Sequence, residues 1–184
     1  MPFLIVTAIF IAIPLALQLR GRGIVGLTCA AACLYGLGIL LIVLLLILPA
    51  ETVANIAGAT FGDPDDINGQ FHDTYYVVAN FHGAIAPTAV FAGLCAVFWF
   101  MKRQSCVLPE RVLLALFWVL HLAILTAPNL QLLLFGFDPQ TDDLGVNALQ
   151  PLFAAQRVIG LVVLACLLGF VAVAFWSVLK RLRA

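Results

Sequence analysis

Apolar residues run almost unbroken through five stretches of this chain, at about 3–19, 24–49, 76–101, 112–136 and 153–179. A helix rises about 1.5 Å per residue and needs roughly 20 apolar residues to cross the hydrocarbon core of a bilayer. Each stretch reaches that length or comes near it; the first is the shortest and contains Pro14. The pattern predicts an all-α integral membrane bundle of five transmembrane helices, forming one membrane domain over 1–184.

Polar residues collect in the connections, and the connections alternate in charge. Arg20 and Arg22 follow the first stretch, Lys102, Arg103 and Arg111 lie between the third and fourth, and Lys180, Arg181 and Arg183 follow the fifth. In a five-helix bundle these all fall on one side. Loop 50–75, with Glu51, Asp63, Asp65, Asp66 and Asp73, and loop 137–152, with Asp138, Asp142 and Asp143, fall on the other. Of the nine Lys and Arg, all but Arg157 thus share a face. The positive-inside rule makes that face cytoplasmic, with the N-terminus outside and the C-terminus inside. For a bacterial protein the location is the inner (cytoplasmic) membrane. The first stretch lacks a basic segment before it, so it is expected to be a retained span and not a signal peptide. Gly58, Gly62, Pro64 and Gly69 make loop 50–75 irregular. The acidic loops read either as solvated connections or as an attraction for a basic protein partner.

Composition strengthens this picture. Hydrophobic residues make up 64% and charged residues 10%, against about 25% charged in a soluble domain. Lys plus Arg equals Asp plus Glu, and no nucleic-acid partner is implied. The cysteines Cys29, Cys33, Cys95, Cys106 and Cys166 lie mostly in apolar runs and read as packing residues. Cys29 and Cys33 are four apart, on one helix face, without further ligands nearby.

The chemistry concentrates at the entry to the third stretch, in His72-Asp73-Thr74-Tyr75-Tyr76-Val77-Val78-Ala79-Asn80-Phe81-His82. Ionisable and imidazole groups are costly within a bilayer, so their presence there is a functional hypothesis by default. His82 falls roughly 9 Å below the outer face by helical rise. It reads either as an axial heme ligand or as a histidine hydrogen-bonded to a neighbouring helix. His72 and Asp73, at the outer lip, could meet heme propionates or a divalent cation. Asn80 and His82 point about 200° apart around the helix. His121, roughly 22 Å below the outer face, is offset by roughly 13 Å from His82, too far for the two to share one iron without strong tilt. It is expected to bond across to a neighbouring helix. Arg157, near the outer start of the last stretch, reads as a snorkelling side chain or as a partner of Asp73 or a propionate. Tyr75, Tyr76, Trp99, Trp118 and Trp176 read as interfacial aromatics.

This eleven-residue run resembles a segment of the heme-copper oxidase family, subunit I of cytochrome c oxidase, whose pattern is His-Asp-Thr-Tyr-Tyr-Val-Val-Ala-His-Phe-His. The match fails only at Asn80, where the family has a heme-ligating histidine. Ala89-Val90-Phe91-Ala92 also follows the family. More weakly, the five stretches resemble the last five of its twelve helices. The resemblance implies one low-spin heme with His82 as iron ligand and a second histidine from an earlier helix that has no counterpart here. That second ligand would come from another subunit or a symmetric copy. The family's copper-ligating histidines also lack counterparts, so copper is not expected. Where the family places a propionate-binding arginine pair, this chain reads Phe137-Asp138-Pro139-Gln140-Thr141. The chain is not expected to reduce oxygen by itself, and whether it is an enzyme stays open.

The expected function is that of a cytochrome c oxidase subunit I-like membrane protein. It would bind heme and serve respiratory electron transfer with a partner: other oxidase or respiratory subunits, a homodimer, or cytochrome c. The alternative is a non-catalytic accessory or assembly subunit of an oxidase complex. A small transporter or channel has only the five spans in its favour.

Overall fold

The long apolar runs become helices because lipid offers no partner for a bare N–H or C=O, and a helix satisfies both within itself. The computed structural model describes residues 2–47, 74–135 and 146–183. Five helices lie among them: α1 (Pro2–Leu19), α2 (Ile24–Ile47), α3 (Thr74–Arg103), α4 (Glu110–Phe135) and α5 (Val146–Leu182). No strand occurs among the described residues. Within them, Ile85–Arg103, Glu110–Ala127 and Ala154–Leu182 are long and apolar enough to cross a membrane. Ile5–Leu19 and Ile24–Leu40 are shorter apolar segments.

The helix ends carry their own signals. At the end of α1, Arg22 N donates to Leu17 O (3.0 Å) and Gly21 N to Gln18 O (2.9 Å). This six-to-one pair is a Schellman stop, and it needs a residue in the left-handed region. Gly21 supplies it at φ 76°. The same closure ends α3, with Cys106 N on Met101 O and Ser105 N on Lys102 O, each at 3.0 Å. Here Ser105 holds φ 56°, a conformation that costs a non-glycine residue about 1–2 kcal/mol. Ser105→Gly is therefore expected to raise the thermal unfolding midpoint in detergent, by a stabilisation of about 1 kcal/mol. An unchanged or lowered midpoint would refute this account of the turn.

The last helix starts earlier than the apolar pattern suggests, at Val146 instead of near 153. Its 37 residues span about 55 Å, well beyond a ~30 Å hydrocarbon core. A helix can continue past the lipid on polar residues, so apolarity marks the membrane portion and not the helix end.

The chain divides into two compact units, Met1–Arg22 with Gly26–Cys95, and Gly23–Val25 with Ala96–Ala184. In the first unit Tyr35 of α2 is the centre. Its ring meets Phe10 of α1 edge-on at 5.0 Å and stacks on Phe91 of α3 at 5.5 Å. Leu27, Thr28, Ala31, Leu34 and Tyr35 are buried, recurring at three- and four-residue steps that mark one helix face. In the second unit α4 buries Leu113, Phe117, Leu120 and His121, α5 buries Cys166, Phe170 and Ser177, and α3 adds Phe98 and Met101. Phe98 and Phe170 meet at 5.6 Å. Ser177 is kept satisfied by donating to Val173 O at 2.9 Å.

Two polar contacts gather the basic connections of the second unit. Arg181 Nη1 donates to Gln104 Oε1 at 2.9 Å, bringing the end of α5 to the α3–α4 turn. The Glu110 carboxylate sits against Gly23, just ahead of Ile24 at the start of α2. An anion there faces the positive end of the helix dipole. A β-carbon on Gly23 would collide with that carboxylate, so the close approach depends on glycine.

Candidate functional site

Helix α3 carries the central part of the candidate site. It opens at Thr74, so His82 lies eight residues along it, about 12 Å by helical rise. The continuous helix fixes positions by register at about 100° per residue. Position 82 lies within about 60° of positions 85, 86, 89 and 93. Ile85, Ala86, Ala89 and Gly93 are all exposed on the bundle surface. Position 80 lies within about 20° of Phe91, which is completely buried. Positions 82 and 80 therefore lie on different faces of α3. His72 and Asp73 lie outside the described residues, as do the acidic residues of 50–73 and 138–143.

His121 takes a different role. It is completely buried. Its ring stacks on Phe117 at 5.4 Å and 10°, and meets Trp118 edge-on at 6.0 Å. Phe117 and Trp118 precede it by four and three residues, the spacings that place side chains together on a helix. An iron ligand must aim a ring nitrogen at open space large enough for a macrocycle. His121 is enclosed by protein and does not fit that requirement. Trp118 is half-buried about 12 Å into α4, so it belongs to this aromatic cluster and not to an interfacial belt. The sequence signal for the cluster was the Phe-Trp-x-x-His spacing of residues 117–121. Trp99 and Trp176, at 53% and 65% exposure, are exposed near helix ends as interfacial aromatics are.

Arg157 is exposed on α5, as a snorkelling side chain is. Cys29 and Cys33 are exposed and share a hydrogen bond with each other, while Cys166 is buried. The first two therefore do not pack in the core as their apolar surroundings suggested. An apolar neighbourhood in sequence does not separate the protein interior from the lipid face. Among the described residues no group of three or more His, Cys, Asp or Glu is placed to hold a metal ion.

Three helices of this length and apolarity suggest a helical membrane protein. Comparison with known proteins adds a partial likeness. Cytochrome c oxidase subunit 1 of Albinaria turrita is 36% identical over 74 residues, 40% of this chain and 37% of that protein. The match thus spans little more than a third of that relative's length. No family model matches the chain, and no solved structure matches it significantly.

Proposed function

We propose that this chain is an oxidase-like membrane subunit that holds one low-spin heme through His82 and serves electron transfer with a partner. The observation that carries the reading is the place of His82 along the continuous helix α3, within the run that resembles a heme-ligating segment. A histidine about 12 Å along an apolar helix is costly within a bilayer. A bound ligand or a partner relieves that cost. The second axial ligand would then belong to another subunit or a second copy of this chain, in keeping with the enclosure of His121. Bound heme would supply one-electron redox chemistry. The chain's own part is to fix the imidazole on a rigid helix and exclude water. His72, Asp73 and Arg157 are proposed for the propionate end, or His72 and Asp73 for a divalent cation.

The five helices are read as five spans with the N-terminus outside and the C-terminus cytoplasmic, in an inner membrane for a bacterial protein. The hydrogen bond from Arg181 to Gln104 supports this, since it joins two of the basic connections that topology assigns to one face. A second reading, a non-catalytic accessory subunit, is favoured by Asn80. It stands where the resembled family has a heme-ligating histidine, and a carboxamide suits hydrogen bonding better than iron ligation.

The test is the reduced-minus-oxidised visible spectrum and extractable heme content of the detergent-purified protein from a heme-replete host. The proposal expects a sharp low-spin band and one heme per chain, or one per two chains for a shared site. Folded protein without heme would refute heme binding by the isolated chain. Copurification with oxidase subunits in that case would support the accessory role.

A further inference from the structure

We propose that the basic end of the second unit, between the last turns of α3 and α5, binds the headgroup of an anionic phospholipid. The inference rests on the membrane placement of these helices and is independent of heme. Lys102 and Arg103 end α3, Arg111 lies in the first turn of α4, Lys180 and Arg181 end α5 and Arg183 follows it; all six side chains are exposed. The single carboxylate among the described residues at this end, Glu110, is set against Gly23. Six cations thus share this end with one acid among the described residues.

Two of the cations are held in place. Arg181 Nη1 donates to Gln104 Oε1 at 2.9 Å, and a guanidinium carries five N–H donors, so others stay available for a phosphate in the forked geometry arginine favours. Arg103 lies over the Trp99 ring, its Cζ 5.5 Å from the centroid. Cation–π contact fixes the guanidinium beside an interfacial aromatic. Trp99, Phe100, Phe175 and Trp176 are each more than half exposed within the turns that precede these cations. An amphiphile with a phosphate and acyl chains satisfies both surfaces at once. A soluble acidic protein or a nucleic acid satisfies the cations and leaves the adjoining aromatics in lipid, which is why the lipid is favoured.

The experiment measures binding of dioleoylphosphatidylglycerol to the full-length purified protein by native mass spectrometry and by thermal shift. Dioleoylphosphatidylcholine and inorganic phosphate are the comparison probes. Phosphatidylglycerol is expected to be retained and to raise the unfolding midpoint above the value in phosphatidylcholine. The Arg103→Gln/Arg181→Gln double variant is expected to weaken retention on the order of tenfold. Gln104→Ala, which leaves the charge unchanged, and Arg181→Lys, which keeps charge but loses the fork, are expected to fall between. Equal retention of both lipids would overturn the proposal. So would equal stabilisation by inorganic phosphate, or a Gln104→Ala variant as tight as the parent, which would reduce the site to diffuse charge. A protein without heme that still selects phosphatidylglycerol sinks the heme reading and leaves this one standing.

Discussion

His82→Ala is expected to abolish the low-spin band of the purified protein, while His121→Phe is expected to keep it. The two substitutions separate two histidines that look alike in a hydropathy plot. Low-spin heme iron needs a strong axial ligand on each side, and a methyl group in place of imidazole removes one. His82 lies on α3, within the run that resembles a heme-ligating segment. His121 is completely buried with its ring on Phe117, so a phenyl ring in its place retains the stacking surface. The two spectra, normalised to protein by heme extraction, give the answer directly. A band that survives His82→Ala, or one lost in a folded His121→Phe protein, would reverse the assignment. Imidazole added to His82→Ala offers a further check, since a ligand role predicts partial recovery and a structural role does not.

Helix existence was readable from the sequence, because twenty apolar residues in a row have few other stable forms in lipid. The first break was readable from Arg20 and Arg22, while the Schellman turn at Gly21 that closes α1 emerged only from the backbone. The buried side of each helix was not. Phe98 and Phe170 are core residues while Phe100 and Phe175, two and five positions on, are exposed. In a soluble protein polarity would separate such pairs. Here both the protein interior and the lipid accept phenylalanine, so the amphipathic stripe that marks a core vanishes. The same blindness hid the exposure of Cys29 and Cys33. His82 was legible only through the run around it.

That equality of interior and lipid also decides where a packing substitution hurts most. With little hydrophobic driving force between helices in lipid, association depends on close van der Waals fit, and small residues permit it. Gly169 is such a position on α5. A β-carbon there would lie 3.1 Å from Leu116 Cδ2 and 3.3 Å from Cδ1 on α4. Gly169→Ala asks the tip of Leu116 to give by a few tenths of an ångström, and the half-buried Leu116 has room to do so. Alanine also gains about 1 kcal/mol of helix propensity over glycine, so this variant is expected to be near neutral. Gly169→Leu sets a whole side chain where Leu116 already sits and forces α4 from α5. The expected loss is about 1–3 kcal/mol, read as a lowered thermal midpoint in detergent. Leu116→Ala in the Gly169→Leu background frees the space and is expected to restore at least about 1 kcal/mol, a coupling typical of side chains in contact. If Gly169→Leu costs no more than Gly169→Ala, or if Leu116→Ala only adds to the damage, the contact is not what holds α4 to α5. The buried Phe117, Leu120 and Cys166 around it would then carry the pairing.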